Sequence, residues 1–411
     1  MKKQLAALVV LMCVLLAQRP QAQTGPARIF FVDIGQGAGT LIVSPAGRTL
    51  LVDGGPPGGG TKIAALLDTL GIATIDFTVV THYHIDHDAG MIELLNAGRV
   101  AGIAFDNGDG PDVAPPGTST ASNSTRGTYL NYIAATNRPG VTRQTIVPGQ
   151  VIDLGGGMRA TCLAAGGRLL SGGAIPITND DLNTESVSLL VEIGDFDYIV
   201  SGDLTGGGST STAKTPDVES YVGQLAGDVD VAQLNHHGST TTSNQVYLAT
   251  VKAEVAVAQV GTTNTFGHPN RETVNKFLNT AATNGNAFPG TGVPPAGVPP
   301  VFYQPEESPA GDDRVSRQGF TGATAANAGQ GTVMLETDGV AAYSIRSFDD
   351  SGARLNPGVH TYAIDGAGPG VTTDFAPTVV VQTAPVVPQA TEAVVVSAAV
   401  NDRESAISGV A

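Results

Sequence analysis

VVTHYHIDHDAG (79–90) packs three of the chain's seven histidines into six residues, interleaved with an aspartate, straight after an apolar run. The segment DFTVV (76–80) reads as a buried strand ending at Thr81. DAGMIELLNAG (88–98) has the apolar spacing of a helix, with Asp88 as its expected N-cap. His82, His84, Asp86 and His87 therefore fall on a strand-to-helix loop, where α/β folds commonly gather their active groups. Two imidazoles one residue apart can grip one cation while Asp86 and His87 grip a second. Neutral imidazole nitrogen and carboxylate oxygen suit Zn²⁺, with Mn²⁺ or Fe²⁺ as alternatives. The competing reading is a solvated polar loop; scarce histidine and the demanding H-x-H-x-D-H spacing count against it.

A two-ion site needs more ligands, and other strand ends offer them. YIVSGDL (198–204) carries Asp203 past one strand, VDVAQLNHHGS (229–239) carries His236 and His237 past another, and VAVAQVGTTNTFGHPN (255–270) ends with His268. Each alone is a weak signal, since a polar residue after a strand is usually a surface residue. Together they supply enough donors for two metals sharing one carboxylate.

Composition bounds the partners. The whole chain has a formal charge of −16. Its first residues read as an export signal: basic MKK, the apolar run LAALVVLMCVLLA (5–17), then polar QRPQAQ with Ala22 at a plausible cleavage point. The apolar run is short for a membrane span, which takes roughly 20 residues. Loss of residues 1–22 removes Lys2, Lys3 and Arg19 but no acid, leaving a charge of about −19. No cluster of Lys or Arg compensates, so a long polyanion is a poor partner. The expected protein is secreted or periplasmic, has no membrane span after processing, and acts on a small molecule or a phosphoester. Cys162 alone remains after processing, so no intrachain disulfide is expected; it reads as a buried strand residue.

Residues 27–350 read as one α/β domain. Three short strands lie in 28–55, strand–helix alternation follows, and TDG (337–339) joins two closing strands. The stretch 285–328 is rich in Pro, Gly and Ala and reads as an irregular insertion; the Ala/Val/Pro-rich 376–411 reads as an extended tail. Specificity is expected in the long loops 106–128, 165–184 and 285–328. Arg126, Tyr129, Tyr132 and Arg143 are candidate contacts there, with core or solvated roles as the competing reading.

FVDIGQG, LLVDGG, THYHIDHDAG, ESVSLLVE…YIVSGDL, NHHGS and FGHP stand in this order over residues 28–347. In that order they resemble the metallo-β-lactamase-fold hydrolases, most of all the branch that includes the ComEC competence metallohydrolase domain and secreted phosphorylcholine esterases. The resemblance implies a four-layer αββα sandwich and a zinc-dependent hydrolase with two ions. It places His82, His84 and one of the His236–His237 pair, with His236 preferred, on the first metal. Asp86, His87 and His268 go on the second, and Asp203 bridges both. His237 is left to meet the substrate's anionic oxygen, so that Asp86, His237 and Asp203 form the catalytic set around a metal-bridging hydroxide. Asp33 and Asp53 are expected to support the site. The branch usually reads GQGDA where this chain has GQGAG. Phosphoester hydrolysis is the implied activity, ahead of β-lactam or lactone hydrolysis and of a non-catalytic protein that kept the fold.

Overall fold

The computed structural model describes residues 25–109, 114–121, 123–175, 182–208, 214–283, 301–306, 331–348 and 359–364, and the backbone of 378–384 and 395–401. Residues 1–22, 285–300 and 307–328 lie outside this set, so the expected export signal and most of the expected insertion do too.

Two sheets face each other. The nine-stranded sheet is built on β1 (Ala27–Phe31), β2 (Thr40–Val43), β3 (Thr49–Val52), β4 (Ile75–Val79), β5 (Val100–Asp106) and β6 (Thr142–Thr145). Beyond β1 it adds β15 (Val333–Thr337), β16 (Ala342–Ser347) and β17 (His360–Ala363), in the order β17-β16-β15-β1-β2-β3-β4-β5-β6. The second runs β14-β13-β12-β11-β10-β8-β7. Its strands are β7 (Val151–Gly155), β8 (Met158–Ala165), β10 (Ser188–Ile193), β11 (Phe196–Val200), β12 (Val231–Gln233), β13 (Val255–Val257) and β14 (Phe302–Tyr303), with short β9 (Arg168–Leu169) on β8. Pairing is antiparallel among the hairpins and parallel in β3-β4-β5-β6 and β11-β12-β13-β14.

Side chains alternate across each strand, and this alternation makes the layers. On β1, Ile29 and Phe31 enter the core between the sheets with Leu189, Val191, Tyr198 and Val231, whereas Phe30 turns outward to a second core. There helices Gly59–Thr69, Ile85–Asn96 and Thr125–Thr136 pack Ile63, Met91, Leu94 and Tyr132. Helices Glu219–Ala226, Gln245–Val251 and Arg271–Thr283 cover the other sheet through Val222, Tyr247 and Phe277. Full burial of one large apolar side chain stabilises by roughly 1.5–3 kcal/mol, so strands filled on both faces hold the fold without a disulfide. Cys162 is buried in β8, as expected. The result is the αββα sandwich.

Three boundaries differ from the sequence reading. β14 falls inside the segment read as an insertion, because two apolar residues there extend the parallel edge of the second sheet. β17 carries the first sheet past residue 350. Tyr303 of β14 bonds His360 Nδ1 at 2.8 Å and the Tyr362 hydroxyl at 2.5 Å, joining the two sheet edges. The segment read as an extended tail forms an antiparallel pair, Thr378–Ala384 with Val395–Asn401. Its Val-rich runs meet the strand propensity of β-branched residues. Among the described residues no helix is long and apolar enough to cross a membrane.

Glu219 opens its helix fully buried and fixes the loop after β12. Its carboxylate accepts from Asn235 Nδ2 (2.6 Å), Ser243 N (2.6 Å) and Asn244 N (3.0 Å). Burial raises its pKa from 4.5 to about 7, against the pull of those donors. The folded protein thus binds this proton more tightly than the unfolded chain. The stabilisation is complete below about pH 4.5 and is lost as the pH climbs through about 7. Wild type should therefore lose about 3 kcal/mol relative to Glu219→Gln between those limits, as read by urea unfolding at pH 5 and pH 8; a constant difference would remove Glu219 as the titrating group.

Candidate metal centre

The donors converge where the parallel strands of both sheets end. After β3 the chain passes through Asp53 in the left-handed region (φ 58°), and its carboxylate turns inward, 1% exposed. Thr81 donates to it twice, N–H to Oδ1 and hydroxyl to Oδ2, both at 2.7 Å. This fixes the chain leaving β4 just before His82. His84 has extended geometry (φ −85°, ψ 149°) and is the N-cap of helix Ile85–Asn96; its carbonyl accepts from His87 N and Asp88 N at 3.0 Å. Asp88, expected at the cap, instead lies in the first turn and is fully buried. The helix begins four residues earlier than its apolar spacing suggests, because the donors Asp86 and His87 themselves lie in its first turn. Gly90 lets that helix touch the β3 loop: a Cβ there would sit 1.8 Å from the Gly54 carbonyl oxygen.

Asp203, just past β11, is 3% exposed and stands at the middle. Its Oδ1 lies 3.1 Å from His87 Nε2 and 3.6 Å from His237 Nε2; its Oδ2 lies 3.4 Å from His236 Nε2 and 3.9 Å from His82 Nε2. His84 Nδ1 is 3.0 Å from His82 Nε2, and Asp86 Oδ2 is 3.3 Å from His237 Nε2. Donor atoms of His82, His87 and Asp203 all fall within 4.8 Å of one another, as do those of Asp86, His87 and His237.

The grouping departs from expectation at one pair. His237 stands with Asp86 and His87, where His268 was expected, and is 3% exposed. His268 is half-buried at the outer side, its ring centroid 5.2 Å from that of His236 and 6.1 Å from that of His237. The cause is backbone geometry. His236 and His237 are both left-handed (φ 49° and 55°), a conformation costly for non-glycine residues, and it sends their rings to opposite oxygens of Asp203.

The surroundings set which ring nitrogen is free. His87 Nδ1 donates to Asp53 Oδ2 at 2.8 Å and His237 Nδ1 to the Gln259 carbonyl at 2.8 Å, so both present Nε2 inward. Ser186 Oγ accepts from Asp203 N–H at 3.2 Å and lies 3.3 Å from His82 Nδ1. Neither Ser186 nor Gln259 was singled out from sequence. Gln259 is the lone polar residue of the apolar run VAVAQV, which is a signal; Ser186 shares SVSLLVE with Ser188 and Glu192, and nothing in the sequence sets it apart. Tyr129 and Tyr132 are core residues, Arg126 stacks on the Tyr129 ring, and Arg143 pairs with buried Asp106 at 2.7 Å. Asp33 pairs with Lys62 at 3.5 Å.

His87 Nε2 and His237 Nε2 are buried and point at Asp203 Oδ1, at 3.1 and 3.6 Å. Burial works to lower His87, but the carboxylates of Asp203, Asp53 and Asp86 raise it above the ordinary imidazole value; Asp203 and Asp86 likewise raise His237 against burial. Burial works to raise Asp203, yet His236, His87 and His237 hold it well below the carboxylate range. His82 and His236 are lowered by burial, and His268 is lowered to about 3 by burial and then by His237 and His236. Such a field favours positive charge at its centre, and nitrogen and carboxylate donors without thiolate suit a divalent cation such as zinc. The residues fit a metal.

Asp53→Asn should lower zinc affinity about 10–100-fold. Asparagine tolerates the left-handed backbone but removes the negative charge that holds the His87 Nδ1 proton. Competition with a chromogenic chelator reads the change; unaltered affinity would exclude this role.

The family model of the metallo-beta-lactamase superfamily matches residues 32–158. Competence protein ComA of Neisseria gonorrhoeae is 26% identical over 277 residues, covering 65% of this chain and 32% of that protein. The chain thus spans about a third of that relative's length. Among solved structures, the subclass B3 metallo-beta-lactamase MEM-A1 from a soil metagenome library is 17% identical over 56% of this chain and 82% of its own, with TM-score 0.33. A diphosphatase of the PhnP family is 14% identical over 56% and 85%, with TM-score 0.34. The family match covers the H-x-H-x-D-H loop, so this part of the chain is similar to the metallo-beta-lactamase superfamily.

Proposed function

We propose that this protein is a metal-dependent hydrolase that holds two zinc ions, is exported, and cleaves phosphoesters, small or singly charged phosphodiesters best. The observation that carries the reading is Asp203, whose two oxygens face different histidines and so serve two donor groups at once. The order of the branch motifs supports a phosphoester. The basic–apolar–polar start supports export, which N-terminal sequencing of the protein from its host would read; a mature form that keeps Met1 would end that part.

When bound, divalent cations acidify a water and neutralise charge that builds on the substrate. The chain's own residues prepare that chemistry. Asp53 and the Gln259 carbonyl keep protons on the outer nitrogens of His87 and His237, leaving both inner nitrogens as donors. Asp86, with its side chain 27% exposed, is the more open carboxylate of the centre and stays ionised beside His237. Asp203 is enclosed and anchored by the Ser186 hydroxyl.

Asp203→Ala should leave little bound metal, while His236→Ala keeps about one ion per chain, since the carboxylate serves both groups and the imidazole one. Elemental analysis after zinc loading measures both; near-full occupancy in Asp203→Ala would remove it as the shared ligand.

The substrate is tested with a panel of phosphomonoester, phosphodiester, single-stranded DNA, β-lactam and lactone on zinc-loaded protein. The expected order puts the small diester above DNA, with slow DNA cleavage improving as salt screens repulsion. DNA cleavage that is faster and falls steeply with salt would overturn the preference, and turnover of lactam or lactone alone would overturn the phosphoester reading.

A further inference from the structure

Three rings stand in near-parallel array from the buried centre to the surface. His237 and His268 are 22° apart with centroids at 6.1 Å, and His268 and Phe266 are 26° apart at 5.8 Å. Exposure rises along the row, from 3% at His237 through half-buried His268 to 73% at Phe266. Among the described residues Phe266 is the most exposed large apolar side chain. An isolated exposed phenylalanine would mean little, but this one stacks on His268, whose ring lies beside His236 and His237 of the metal centre.

The segment that presents it is pinned. Asn264, 4% exposed, accepts from Phe266 N–H at 2.8 Å and donates to the His268 carbonyl. Its own N–H bonds the Gly261 carbonyl at 3.0 Å, and Thr262 N–H bonds Glu306 Oε2 at 2.8 Å. An aromatic ring held outward by a turn of this kind is preorganised for a flat partner.

We infer that Phe266 is the stacking platform for an aromatic ring carried by the substrate, and that the substrate is a nucleotide-sized phosphodiester whose base lies against Phe266 while its phosphate lies at the donor groups. The inference rests on the phosphodiester reading for its reaction. Stacking on one ring reads no base edge, so the preference is for a base and not for its identity. A single platform serves one nucleotide, in keeping with the acidic surface.

Thymidine 5′-(p-nitrophenyl phosphate) and methyl p-nitrophenyl phosphate share a leaving group and differ in the base. Zinc-loaded wild type should favour the nucleoside ester in kcat/KM. Phe266→Ala should shrink that preference about tenfold, mainly through KM, and Phe266→Trp should retain it. An unaltered preference in Phe266→Ala, or none in wild type, overturns the platform. If wild type cleaves neither ester, the phosphodiester reading falls by itself. The platform is then judged by calorimetric titration with thymidine 5′-monophosphate: weaker binding by Phe266→Ala supports it, and equal or absent binding overturns it.

Discussion

Asp203 is the constraint on which the rest of the structure depends. A carboxylate buried to this degree is tolerated only with partners, because desolvating an unpaired charge costs several kcal/mol. Its partners come from both sheets: His82 and His87 follow β4, and His236 and His237 follow β12. The two sheets must therefore present their strand ends to one cleft. The glycines that let the Ile85–Asn96 helix touch the β3 loop, and Glu219 behind the histidine pair, hold the two sides in register with that point.

The strand-to-helix loop made most of this legible. H-x-H-x-D-H after an apolar run pointed to the chemistry, and the strand ends at Asp203 and at the His236–His237 pair showed where the other donors come from. What sequence could not show was direction. Whether His236 or His237 faces a given oxygen depends on two consecutive left-handed residues, and side-chain identity does not announce them. The helix start was misplaced because Asp88 is a good N-cap residue by type, while the backbone caps at His84, whose side chain makes no cap bond. β14 was hidden because it is two residues long and relies on its neighbour for pairing.

The acids are not spread evenly in effect. Asp53, Asp86 and Asp203 face imidazoles in the interior, whereas Asp68 and Asp109 are largely exposed at the surface. The interior carboxylates draw a cation; the surface ones repel long anions. One residue type thus sets a cation-attracting interior beneath an acidic surface.

The first sheet also imposes an order of assembly. β1 pairs on one side with β2, close by in sequence, and on the other with β15, about three hundred residues later, where Asp33 N–H meets Thr332 Oγ1. Pairings of such long range form slowly, because loop closure precedes the contacts that reward it. Until β15 arrives, one edge of β1 is an open row of amides and carbonyls beside Ile29, Phe30 and Phe31, a template for strands of other chains. A chain cut short before residue 333 would still carry His82–His87, Asp203 and the histidine pair, yet its fate would be aggregation.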